Sequence, residues 1–109
     1  MLEALEGLNL LQALAGAVSA PGNREYNPGW HTALVLESLL TVSEAVTRAA
    51  IERRESRGAQ LRDDFPDMSA EFGAVTMVVR KGADGGMRVS REPVVSLTDE
   101  HKAIIEANK

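Results

Sequence analysis

The sequence predicts a mainly α-helical domain: a small helical bundle with a long central helix, followed by a C-terminal β-hairpin. Three observations lead there. Apolar residues recur at helical spacing over residues 2–19 and again from Trp30 to about Arg54. Two short β-rich runs, 75–81 and 87–91, flank the segment Gly82-Ala83-Asp84-Gly85-Gly86. The length of 109 residues suffices for a single domain, 1–109, with a modest core. The chain divides into a helical part over about 1–72, a β element over about 75–95 and a terminal helix over about 98–107.

The first helix rests on Leu5, Leu8, Leu11 and Val18, with Leu14 on a second edge. Gly7 and Gly16 each weaken it by about 1 kcal/mol relative to alanine, so it depends on tertiary packing. The chain opens straight into this helix, which fits a domain cut from a longer protein. Ala20-Pro21-Gly22-Asn23 breaks it. Asn27-Pro28 then starts the long helix, with Asn27 as cap and Pro28 in the first helical position. One apolar stripe of that helix is Ala33, Leu36, Leu40 and Ala50. A second is Val35, Leu39, Val42, Val46 and Ala49. An arc this wide implies neighbours on two sides. Arg53 and Arg54 are expected in the last turn, facing the negative end of the helix dipole, with Gly58 as a left-handed terminator.

Asp64-Phe65-Pro66-Asp67 stops the chain again, and Ser69-Ala70-Glu71-Phe72 predicts one short helical turn. The two β runs form a hairpin across the glycine-rich segment, and Pro93 ends the second strand or places it on an edge. Thr98 caps the terminal helix.

Composition excludes several function classes. A net charge of −4 argues against nucleic-acid binding. With no cysteine there is no disulfide, thiol nucleophile, thiolate zinc site or iron–sulfur ligation. No apolar run approaches a membrane span, and Glu3, Glu6 and Gln12 interrupt any signal-peptide pattern. The default setting is soluble and cytoplasmic.

Isolated titratable residues make poor sites. His31 follows Trp30 in the first turn of the long helix and reads as a packed, partly exposed side chain; His101 has no partner nearby in sequence, so no metal site is expected. Glu37 and Glu44 share one face of the long helix, and Arg48 follows Glu44 at the spacing of a helical ion pair. The glycine-rich segment lacks the lysine and the following helix of a phosphate loop. The dense cluster is Arg48, Arg53, Arg54, Arg57 and Arg62, followed by Asp63, Asp64 and Asp67. Two readings are open from the residues alone. It is either an ion network satisfied within the chain, or a docking face from which Arg57 or Arg62 reaches another domain.

The run Arg54-Glu55-Ser56-Arg57-Gly58-Ala59-Gln60-Leu61-Arg62-Asp63-Asp64-Phe65-Pro66 resembles the signature in the C-terminal domain of succinate dehydrogenase and fumarate reductase flavoprotein subunits. Tyr26-Asn27-Pro28-Gly29-Trp30-His31, with the helix through Ala50, is similar to that domain's long helix. Arg91-Glu92-Pro93-Val94 is similar to its closing strand in the dehydrogenase branch. The family commonly has histidine where this chain has Gln60, which removes any titrating imidazole there. Phe72 stands near the place of a frequent tryptophan.

The resemblance implies a parent subunit that carries FAD and interconverts succinate and fumarate, in a complex peripheral to the inner membrane face. Its flavin-binding domain and an iron–sulfur subunit are the implied partners. The chain has no dinucleotide fingerprint, so no FAD, catalytic residue or turnover is expected in it alone. Glu55, Ser56, Arg57 and Arg62 are the expected docking residues. Two other functions compete. One is the tail of L-aspartate oxidase, which shares a similar arginine–glycine motif. The other is a free-standing helical module that dimerises through residues 2–19; a fragment of the first kind would self-associate only weakly.

Overall fold

The computed structural model describes residues 1–108 and is mainly helical with one small hairpin. Its elements in order are α1 (Leu2–Ala15), α2 (Pro28–Glu52), α3 (Ala70–Gly73), β1 (Val75–Lys81), β2 (Met87–Pro93) and α4 (Asp99–Ala107). α1 and α2 are the helices that pack on each other. α2 also touches both strands, and α3 packs on β1, whereas among the described residues α4 packs against no other element. The expected bundle is therefore a two-helix pair in this chain.

α1 stops at Ala15, short of the expected residue 19. After it, Ala17 N–H and Val18 N–H donate to the carbonyls of Leu14 and Ala15, three residues back, and the chain unwinds toward Pro21. α2 starts as expected: the Asn27 side chain accepts from Trp30 N–H, with Pro28 in the first helical position. The helix ends at Glu52, so Arg53 and Arg54 lie outside its last turn. Arg53 is the C-cap in extended backbone, with φ −79° and ψ 98°. Gly58 does adopt a left-handed φ of 59°, but it terminates no helix. It serves a tight turn closed by mutual backbone bonds between Arg57 and Gln60, of 2.8 and 3.1 Å.

α1 and α2 run antiparallel. Leu2 and Leu5 lie beside Arg48 and Ile51, while Ala15 lies beside Glu37 and Leu40. Gln12 Nε2 donates to Glu44 Oε2 at 2.8 Å midway between. The strands pair antiparallel from Val75↔Pro93 to Lys81↔Met87. The alternation of side chains puts Met77, Val79 and Val89 on one half-buried face. In the turn, Gly82 N–H donates to Gly86 O at 2.7 Å and Gly85 takes φ 83°. Ser69 and Thr98 cap α3 and α4 by accepting from Phe72 N–H and His101 N–H.

The core is thin. Among the described residues, Leu40 and Phe72 are the buried apolar side chains, 7% and 6% exposed. Phe72 fills the space between α3 and the hairpin, and the Arg91 guanidinium covers its ring at 4.7 Å. That guanidinium also bonds Glu52 of α2 and Glu71 of α3, each at 2.9 Å. Phe72→Ala is expected to destabilise the domain by roughly 3–5 kcal/mol, measurable by urea unfolding.

Candidate functional site

The arginine-rich segment folds around a glutamate. Glu55 is 0% exposed, the most enclosed side chain described. Its Oε1 accepts from Arg53 Nη1 and, at 2.9 Å, from Arg57 Nε. Its Oε2 accepts from Ser69 N–H at 2.8 Å, at the start of α3. Arg53 also donates to the carbonyls of Phe72 at 3.0 Å and Val75 at 2.7 Å. One carboxylate thus gathers the end of α2, the cap of α3 and the entry to β1.

The Arg57 hydrogen bond, joined by those from Ser69 and Arg53, outweighs burial and holds the Glu55 carboxyl down at about 2. The same contact raises Arg57 further. A carboxylate that is sealed from water, ionised and committed at both oxygens has no acid–base work to do near neutrality.

The other expected docking residues sit on the same scaffold. Ser56 is buried. Its hydroxyl donates to Phe65 O at 2.8 Å and accepts from Arg62 N–H at 2.8 Å, while its N–H donates to Asp67 O. The Arg62 side chain is 7% exposed. Its Nη1 donates to the carbonyls of Ala50, Ile51 and Arg53 at 2.7–3.1 Å, closing the end of α2. Its Nε and Nη2 clasp Asp64 at 2.9 and 2.6 Å, and its Cζ lies 4.8 Å over the Phe65 ring. The Arg62 hydrogen bond holds Asp64 below the usual carboxylate range. Gln60, at the family's histidine position, donates to Arg53 O at 3.1 Å. Arg57 is the member with an open flank, its side chain 41% exposed.

Sequence reasoning placed Arg53 in the cluster but not beside Glu55, and missed Ser69, whose N–H closes the site. Arg53 and Arg57 stand two residues either side of Glu55, and that symmetry was the available signal.

The remaining candidates stay apart. His31 is exposed and stacks edge-on against Trp30 at 5.3 Å. His101 lies on α4, away from the rest. Glu44 is held below its usual range by Gln12 and then Arg48, while Glu37 lies beside Ala15 and Leu40. Among the described residues, no group of three or more His, Asp or Glu side chains could hold a metal. A cleft of about 540 Å³ separates α2 from the hairpin tip, and its Arg80 is already paired with Glu92.

A second feature is an uncovered apolar seam. Val35, Leu39, Val42 and Val46 of α2 are all exposed, Val46 to 63%. Their alternating spacing of four and three is that of a coiled-coil seam. At about 100° per residue from buried Leu40, the seam is turned one way and the hairpin contacts Thr41 and Ala45 the other. On α1, Ala4, Gly7, Leu11 and Leu14 repeat the spacing and are likewise exposed. At about 100° per residue these α1 residues also turn away from the α1–α2 contact, and the α2 row turns away from α1 more fully still. An uncovered apolar row therefore runs along the outer side of α2, with a shorter one on α1. Flanking positions Ser38, Ser43 and Ala50 carry no charge to keep the α2 row wet.

Comparison with known proteins agrees with this architecture. The model of the family described as fumarate reductase flavoprotein C-term matches residues 1–103. The fumarate reductase flavoprotein subunit of Mycobacterium tuberculosis is 33% identical over 95 residues, 86% of this chain and 16% of that protein. The structure of Mycobacterium smegmatis Sdh1 in complex with UQ1 superposes with a TM-score of 0.76 at 35% identity, over 97% of this chain and 18% of that one. L-aspartate oxidase of Vibrio cholerae is 42% identical, over 48 residues that make 44% of this chain and 9% of that protein. The chain spans about a sixth of the length of the fumarate reductase subunit it matches.

Proposed function

The chain belongs to the fumarate reductase flavoprotein C-terminal family, and from that premise we propose that it is a docking domain, packed against the FAD-binding part of its own subunit. It is the C-terminal domain of a succinate dehydrogenase/fumarate reductase flavoprotein. The proposed parent interconverts succinate and fumarate with FAD, borders an iron–sulfur subunit and sits peripherally at the inner membrane face. Among the described residues no helix is long and apolar enough to cross a membrane.

One observation carries the docking reading. The chain exposes 8567 Å², against roughly 5,900 Å² for a self-contained domain of its mass. Its radius of gyration is 19.6 Å, against about 13 Å for a compact domain of this length. The excess, about 2,700 Å² on this chain, includes α4, which packs on no other described element, and is still several times the roughly 800 Å² that one partner buries in a standard interface. The exposed row Val35, Leu39, Val42 and Val46 on α2 supplies its apolar centre, and a helix of the parent laid there would extend the two-helix pair into a bundle. The Glu55 and Arg62 networks shape this platform from within, with Ser56 holding the loop between them, and Arg57 faces outward.

The chain's own residues do not make a flavin cradle. Gly82–Gly86 joins two antiparallel strands rather than a strand to a helix, and among the described residues no buried side-chain polar atom lacks a partner. The proposal therefore leaves the flavin, and every reacting group, with the rest of the parent, and the isolated chain without turnover. The L-aspartate oxidase alternative is supported over less than half of the chain.

The test is a charge in that row. In the full-length subunit, Val42→Asp should speed proteolytic release of this domain, lower FAD retention and reduce thermal stability. Thr76→Lys, an exposed charge on β1 facing Glu92 across the hairpin, should do none of these. Equal behaviour of the two variants defeats the docking reading. A tight dimer of this chain in light scattering, formed through residues 2–19, would favour the free-standing module.

A further inference from the structure

Resting on that docking reading, we propose that Arg57 pairs with an aspartate or glutamate side chain on the flavin-binding part of the same subunit. Two of its three guanidinium nitrogens are held inside this chain: Nε by Glu55 at 2.9 Å and Nη2 by Ser69 O at 2.9 Å. The plane lies so close over Gly73 that a Cβ there would stand 2.8 Å from Nη2. Nη1 donates to nothing among the described residues. The guanidinium is thus fixed in direction before any partner arrives, which removes much of the ordering entropy that an exposed arginine loses on pairing.

Charge points to the acceptor. Two guanidinium groups share the single Glu55 carboxylate, and among the described residues no other carboxylate pairs with either. Arg53 is 17% exposed, with Nη1 on Glu55 and Phe72 O and Nη2 on Val75 O. The surplus positive charge faces outward at Arg57, 41% exposed, and on the docking reading meets the interface with a neighbour there. A charge brought into such an interface needs an opposite charge and a hydrogen-bond acceptor, and a carboxylate supplies both. A phosphate or a second copy of this acidic chain is a poorer fit for a single nitrogen offered in one direction.

The full-length subunit gives the test. Arg57→Lys places a primary amine at this position, and a water-soluble carbodiimide will join it to a carboxylate in contact. Peptide mass spectrometry should then find a cross-link to an acidic residue of the flavin-binding part. A link to Glu55 alone, or to the iron–sulfur subunit, overturns the proposal. The unaltered subunit gives a second reading, free of any folding defect in the variant. Phenylglyoxal should modify Arg57 at least about tenfold more slowly in this subunit than in the subunit whose domain Val42→Asp has dislodged, the protection expected of one charge-assisted bond. Equal rates overturn the pairing. If Val42→Asp dislodges the domain while these assays fail, the docking reading stands and the pairing alone falls.

Discussion

Glu55→Ala is expected to lower the thermal unfolding midpoint by roughly 10 °C or more, the effect of removing one partner from a buried, hydrogen-bonded ion group in a small domain. Three donors lose their acceptor together: Arg53 Nη1, Arg57 Nε and Ser69 N–H. The two guanidinium groups are then left facing each other in a half-enclosed space. Glu55→Gln keeps the volume but presents an amide N–H₂ toward donors, so it should recover only part of the loss. Calorimetry of both variants beside the unaltered protein measures this directly. A change of a degree or two for Glu55→Ala would mean that the network contributes little.

The same carboxylate sets a dependence on pH. Its folded value of about 2 lies below its ordinary 4.5. The stabilisation it provides is therefore complete above about 4.5 and is lost as pH falls from there through about 2. The unfolding midpoint of the unaltered protein should drop across that window more steeply than that of Glu55→Gln. Parallel curves would remove Glu55 as the cause.

Arg62→Ala should rank second, with a loss of roughly 5–10 °C. α2 has no basic residue in its last turn, and its C-cap, Arg53, is in extended rather than left-handed backbone. The Arg62 guanidinium supplies the donors from outside, reaching Ala50 O, Ile51 O and Arg53 O. Its loss leaves these carbonyls poorly satisfied, unpairs Asp64 and uncovers the Phe65 ring. Arg62→Lys should restore little, because one ammonium cannot serve both the carbonyl cluster and the two oxygens of Asp64. Asp64→Asn should be mild, since that carboxylate is largely in solvent and its pairing is screened. Comparable melting of Arg62→Ala and Asp64→Asn would show the helix end to be closed by something else.

Much of the fold is legible because its signals are local. Asn27-Pro28, Ser69 and Thr98 declare helix starts within three residues of the bonds they make. β1 spans residues 75–81, as its β-branched run and the glycines after it indicate. The two apolar stripes of α2 are equally plain. Sequence assigns neighbours to both, whereas only the Leu40 side is covered within this chain.

The site was half legible. Its charge density stands out, and its residues fall together as expected, but their partners are mostly backbone atoms nine to twenty-two residues away. Periodicity and spacing say nothing about such bonds. Arg53 reads as a dipole partner because cations favour helix ends, yet competition from Glu55, Phe72 O and Val75 O turns it toward the hairpin. Glu55 is hardest of all, since glutamate is almost never enclosed unless paired. The two flanking arginines were the one hint, and they suit a solvated surface just as well. The Gln60 substitution carried a real message: an amide at that place holds Arg53 O and Glu55 O without needing a proton.

The side chain that closes α2 lies nine to twelve residues downstream of the carbonyls it serves. A ribosome that has released α2 alone therefore holds a rod with an unfinished tip. The tip seals only when position 62 has cleared the exit tunnel, so the hairpin beyond it is made onto an already anchored support. Slowing translation at the point where position 62 is about to leave the tunnel should leave the nascent rod fraying for longer.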